Sequence, residues 1–161
     1  MGGLIVSAVF LLALATVQWL TTPRIAYVDL PKVFNEFELK KDLETRLMSD
    51  YNEKNKVLDS LKLSLGQLEL KSKGDFQMAG YQRQNIIQTA EALQYDQENK
   101  TRELNEQIYK RLNEYVHQFA KEEGYDFILG AEGSGIIMAA NTKKDITEEV
   151  IQYINRKYQD K

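Results

Sequence analysis

Few residues in this chain could do chemistry, and their spacing argues against it. His117 is the only histidine, and a two-histidine metal site or a His-Glu-x-x-His pair needs a second. It stands between Val116 and Gln118 in a helical pattern, where a surface or interhelical hydrogen bond is the expected role. There are no cysteines, so thiolate ligands, thiol nucleophiles, disulfides and a lipid-modified cysteine anchor are excluded. Glu122-Glu123 and Glu148-Glu149 are neighbouring carboxylates. Adjacent residues on a helix point about 100° apart, so neither pair focuses on one substrate atom, and both are expected on solvated faces. Gly133-Ser134-Gly135 is too short for a phosphate loop and has no Gly-Lys-Ser or Gly-Lys-Thr beside it. Asp29, closing a short apolar run, is expected to cap a strand end and fix a junction. No catalytic residue, metal or cofactor is expected, and the chain is not expected to be an enzyme.

The elements that hold these residues are mostly helical. Of 161 residues, 28% are charged and 43% hydrophobic, with a net charge of −3. That is ordinary globular usage. A mildly acidic chain without a clustered basic face gives no support to nucleic-acid binding. Only Pro23 and Pro31 occur, both near the start. Residues 1–23 carry no charge, and Leu4 to Leu20 (LIVSAVFLLALATVQWL) is almost wholly apolar. As a helix it spans about 25 Å. It fits a signal peptide cut after Ala13-Leu14-Ala15, or an uncleaved membrane anchor with Trp19 at the outer interface. Either reading exports the rest of the chain.

Arg24 to Leu30 (RIAYVDL) has the β-formers of a short strand. From about Lys32 to Ser72, Leu39, Leu43, Leu47, Tyr51, Leu58, Leu61, Leu65 and Leu68 make one helical stripe. Gly74 and Asp75 form the expected tip, with glycine closing one helix and aspartate capping the next. The pattern resumes from Phe76 to Glu123 through Ile86, Ala90, Leu93, Leu104, Ile108 and Leu112. Two helices joined by a tight turn run antiparallel, so residues 32–123 are expected to form a long hairpin arm with its tip near 72–76. Gly124 ends the arm. Residues 126–131 and 135–140 are expected as two strands of a hairpin, and Asp145-Ile146-Thr147-Glu148 as a capped helix start. Residues 24–31 and 124–161 then make a β body. Such a body buries too little apolar surface alone, and its strand edges need pairing, so oligomerisation is expected. The fold class is α+β.

The chain resembles the OmpH/Skp family of periplasmic chaperones. The resemblance lies in IAYVDLPKVFNEF at the start of the hairpin, Gly124-Tyr125-Asp126-Phe127-Ile128-Leu129 after it, and Asp145-Ile146-Thr147-Glu148-Glu149-Val150 beyond. It covers roughly residues 24–158. It implies a homotrimer in which strands from three subunits form a small barrel, with Ile25, Tyr27, Val28, Phe127, Ile128, Leu129, Ile136 and Ile137 in the shared core. Asp29, Val33 and Phe34 would sit where arm meets body. The resemblance also implies ATP-independent holding of unfolded outer-membrane β-barrel proteins in the periplasm. The chain departs from the basic members in its acidic charge, and no basic cluster matches a lipopolysaccharide site.

Two features of the arm bear on client holding. Pairing about Gly74-Asp75 sets Arg46–Asn55 opposite Gln94–Glu103, which has Tyr95 as its one apolar residue. A polar, loosely packed waist is expected there. Tyr81, Tyr95 and Tyr109 recur every fourteen residues, off the apolar seam, as a candidate client surface. A slightly basic tip (Lys62, Lys71, Lys73 and Arg83) is a possible contact with anionic membrane surfaces. The alternative to a chaperone is a membrane-anchored coiled-coil scaffold of the cell envelope.

Overall fold

The computed structural model describes residues 22–71, 76–132, 137 and 139–160. The segment Leu4–Leu20, the tip residues Gly74 and Asp75, and Ile136 lie outside the described residues. In chain order come β1 (Ile25–Asp29), α1 (Leu30–Glu36), α2 (Glu38–Lys71), α3 (Phe76–Glu123), β2 (Phe127–Ala131), a 3-10 turn at Thr142–Lys144 and α4 (Thr147–Gln159). Long helices, one small sheet and a C-terminal helix make the α+β class expected. Among the described residues no helix is long and apolar enough to cross a membrane.

The sheet corrects one expectation. β2 pairs with β1, in parallel, with Ile25 opposite Phe127 and Asp29 opposite Ala131. Among the described residues of the expected second strand, Ile137, Ala139 and Ala140 lie in no strand and β2 pairs with none of them. A parallel pair needs a long crossover, and α1, α2 and α3 together supply it. Close approach also selects Gly130, since a Cβ there would stand 3.3 Å from Leu30 Cδ2.

The described chain divides into two compact units. The first holds the chain up to Val33 together with Glu114–Ile154. Its buried side chains include Ala26, Val28, Val33, Val150 and Ile154. Side chains of a strand alternate between faces, so Ala26 and Val28 go inward while Ile25 is exposed. Of the expected body core, only Val28 is buried within one chain; Tyr27, Ile128 and Ile137 are half-buried. Phe127 and Leu129 remain 57% and 44% exposed. The expectation counted every apolar position of the strands, whereas a single chain covers one face.

Local hydrogen bonds fix the strand ends. Asp29 Oδ1 accepts from Lys32 N at 2.9 Å, which caps α1. Tyr27 O accepts from Ile146 N at 3.0 Å. Thr147 is buried; its Oγ1 accepts from Asp29 N at 2.9 Å and donates to Asp145 Oδ1. Asp145 Oδ1 also accepts from Thr147 N at 2.9 Å. These bonds hold the Asp145 carboxyl below its ordinary pKa. One edge of β1 is therefore occupied by the segment that starts α4. Glu148, expected to complete a capping box, pairs with Lys32 Nζ instead. Gly124 adopts φ +72° and lets the chain leave α3, with Tyr125 N bonded to Ala120 O at 2.8 Å. Arg24 ties the segment down by donating Nη1–H to Glu123 O at 2.6 Å and its backbone N–H to Asp126 Oδ2 at 2.7 Å.

The second unit holds Phe34–Asn113 with the chain from Asn155 onward. The helix expected to run unbroken from about Lys32 breaks at Phe37. Asn155 spans the break: its Nδ2 donates to Glu36 O at 3.1 Å and its Oδ1 accepts from Glu38 N at 2.9 Å. Phe37 is fully buried and meets Tyr158 edge-on at 6.2 Å. Phe34 stacks on Tyr109 at 4.6 Å and 23°. Beyond the break, α2 and α3 run antiparallel, as the ion pairs Asp50–Lys100 and Lys54–Asp96 require.

Thr147→Val keeps the shape but leaves the Asp29 N–H without its acceptor. Equilibrium urea unfolding should show a loss of about 1 kcal/mol, the net contribution of a part-buried hydrogen bond. A loss below a few tenths would mean that water replaces the hydroxyl.

Candidate functional site

The hairpin of the second unit carries the feature most open to a partner. Along α3 the apolar seam reads Ile86, Ala90, Leu93, then Leu104, Ile108 and Leu112. Gln94, Gln97 and Thr101 stand in the gap. Across from them α2 offers Tyr51, Asn55 and Leu58. Polar side chains on the seam cannot interdigitate as leucines do, and the helices leave a groove of about 1220 Å³. Tyr51, Leu58, Ala90, Leu93 and Tyr109 give it an apolar floor, and amide and charged side chains of α3 line the rest.

The waist is polar, as its composition requires, but not simply loose. Four charges close one side of it. Lys54 Nζ lies 2.8 Å from Asp96 and 3.1 Å from Asp50. Lys100 Nζ lies 3.0 Å from Asp50 and 3.3 Å from Asp96. Every charge thus touches one opposite charge on its own helix and one on the other. Asp50 is held below the ordinary carboxylate pKa by its bonds to Lys100, then Lys54. Asp96 is lowered by Lys54, then Lys100, and Lys54 is raised, first by Asp96. Adjacent to the square, Tyr51 is buried and its Oη has no hydrogen-bond partner among the described residues. Burial first, then the nearby Asp96, raises its pKa.

The three spaced tyrosines do not behave alike. Tyr81 and Tyr95 are 74% and 69% exposed. Tyr109 stacks on Phe34 and borders the groove, so one face of its ring is already used. Met48, Leu63, Leu70 and Ile87 are further large apolar side chains left exposed on the same hairpin. The sequence reading missed these, because a leucine on the seam and one beside it look alike until the partner helix is placed. His117 is exposed and Asp29 serves as a cap. Among the described residues no group of acidic side chains and histidine could hold a metal.

The square carries a pH signature. Asp50 and Asp96 have folded pKa values below 3.8, so their contribution is complete above that pH and disappears as the pH falls through the lowered values. In urea titrations the gap between the protein and an Asp50→Asn/Asp96→Asn variant should be constant near neutrality and close below pH 3.8. A gap that persists in acid would contradict the assignment. Tyr51→Phe removes a buried hydroxyl that has no partner, so it should leave the unfolding free energy unchanged or raise it by up to about 1 kcal/mol. A clear loss would show that the hydroxyl is bonded.

No curated protein matches the chain. The chain is similar in structure to an OmpH-like protein from Caulobacter crescentus CB15, whose crystal structure is named for an outer membrane chaperone. The two share 16% identity with a TM-score of 0.46, over 85% of this chain and 86% of the other. The sequence model of the OmpH-like outer membrane protein family matches residues 24–154, from the start of the first strand region to the middle of the last helix. On that match, the chain belongs to the OmpH-like outer membrane protein family.

Proposed function

We propose that the protein is an ATP-independent holding chaperone of the periplasm, a homotrimer that keeps unfolded outer-membrane β-barrel proteins from aggregating. Membership of the OmpH-like family supports a chaperone role. The observation that carries the finer reading is the set of large apolar side chains left exposed along one hairpin, from Met48 and Leu63 to Leu70 at 87% exposure. Unfolded barrel strands alternate apolar and polar residues. Many small apolar contacts spread over a long surface hold such a chain without selecting its sequence. Each contributes at about 25 cal/mol per Å² buried and is offset by ordering costs. No nucleotide is needed for such binding.

Trimerisation rests on the first unit. The outer edge of β2 has no strand partner among the described residues, and Phe127 and Leu129 beside it are exposed. Strands from two further copies would pair that edge and cover those side chains. The uncharged segment Leu4–Leu20 supports export. It equally favours a second reading, a membrane-anchored scaffold of the cell envelope that binds folded partners. The basic tip would give either form a weak contact with anionic lipid.

The test combines light scattering with an aggregation assay. The purified protein should have three times the chain mass of 18.6 kDa. It should suppress aggregation of an outer-membrane barrel protein diluted from urea, with no nucleotide present. Tyr81→Ser/Tyr95→Ser/Tyr109→Ser should weaken that suppression, and Phe127→Asp/Leu129→Asp should yield monomer. A wild-type monomer without holding activity would refute the reading. Activity only toward folded partners would favour the scaffold.

A further inference from the structure

We infer that the mid-hairpin groove is a cradle for the main chain of one extended client strand, and that it recognises backbone amides rather than side-chain identity. The inference rests on the chaperone reading and specifies where, and by what chemistry, a client is held.

The lining has a composition suited to that task. Asn55, Gln94, Gln97 and Asn105 each offer both a hydrogen-bond donor and an acceptor, and Thr101 adds a hydroxyl that does either. Within the hairpin Gln94 uses only its Nε2, on Glu98 at 3.2 Å. Asn55, Gln97, Thr101 and Asn105 make no side-chain hydrogen bond among the described residues. An unfolded strand carries an unpaired N–H and C=O at every residue, and each must find a partner where the strand lies against the groove. Neutral groups that both donate and accept satisfy such a chain in either direction and whatever its sequence. A groove built for charged clients would instead carry one sign of charge, whereas Glu98, Arg102 and Glu106 at this one are mixed.

Length and pattern agree. The lining runs along α3 from Ala90 to Tyr109, about 28 Å at 1.5 Å per residue. An extended chain covers that distance in about nine residues, which is the length of a strand that crosses a membrane as part of a barrel. Alternate apolar side chains of such a strand would face the floor of Tyr51, Leu58 and Leu93. The polar ones would face water and the charged rim. The charge square of Asp50, Lys54, Asp96 and Lys100 keeps the helices paired where the seam lacks leucines, so that the groove stays open without the hairpin separating.

The probe is a fluorescent nine-residue peptide of alternating uncharged polar and apolar residues, carrying a photo-crosslinker. Its control is the same peptide N-methylated at alternate amides. The protein should bind the unmodified peptide about tenfold more tightly, the effect of losing one or two hydrogen bonds, and crosslinks should fall between Ala90 and Tyr109. Gln97→Leu/Thr101→Leu fills the gap in the seam with residues that pack, so it should fold at least as stably, and it should bind both peptides equally weakly. Equal affinity of the wild-type protein for the two peptides would overturn main-chain recognition. Crosslinks from another copy's hairpin in the same groove would overturn it as well, since the occupant would then be the protein itself. If the double variant suppresses aggregation as well as the wild type does, the cradle is wrong and the chaperone reading stands. If the wild type suppresses no aggregation, both fall.

Discussion

A backbone hydrogen-bonding edge must be paired or wetted, and among the described residues no strand pairs the outer edge of β2. β1 is flanked on one side by β2 and on the other by the Asp145–Thr147 segment, so its polar groups are largely used. β2 has β1 alone. Five residues per strand is too little for a two-stranded sheet to stand by pairing energy. What holds the sheet is the first unit's small core of Ala26, Val28, Val33, Val150 and Ile154, on one face only. Phe127 and Leu129, left exposed on β2, lie beside that edge, and a single interaction, strand pairing between copies, would satisfy both.

The hairpin of the second unit meets the opposite demand. A seam packed with leucine throughout would hold the helices firmly and leave no surface for a partner. Here apolar packing at Ile108 and Leu112 is interrupted by Gln94, Gln97 and Thr101, and resumes at Leu58 and Ala90. The lost packing is replaced by ion pairs between α2 and α3. Exposed ion pairs contribute little individually and are weakened by salt. The waist buries Tyr51 and Leu58, yet its pairing leans on these ion pairs where the seam lacks leucines, and the groove lies there.

Much of the fold was legible from period and punctuation. Leucines at three- and four-residue spacing, followed by a Gly-Asp tip and a second stripe, specify a long antiparallel hairpin. Gly124 marked the end of that hairpin because only the left-handed region turns the chain there. Three things were not legible. The pairing of β2 with β1 depends on a contact about a hundred residues apart in sequence, while the local Glu132-Gly133-Ser134 signal pointed to a hairpin. The break at Phe37 leaves no trace in the sequence, because it is held by Asn155 from the far end of the chain. The groove follows from register. Asn55 and Gln97 look like ordinary surface residues until the pairing of Lys54 with Asp96 sets them on facing helices.

The account therefore turns on the outer edge of β2, and amide hydrogen exchange at Phe127–Ala131 examines it most directly. Measured on the intact protein over a dilution series, those amides should exchange slowly while copies are associated. They should accelerate sharply once dilution separates the copies, with Ala26 and Val28 changing much less. Exchange at Phe127–Ala131 that is equally fast, or equally slow, at every concentration would show that no second copy pairs this edge.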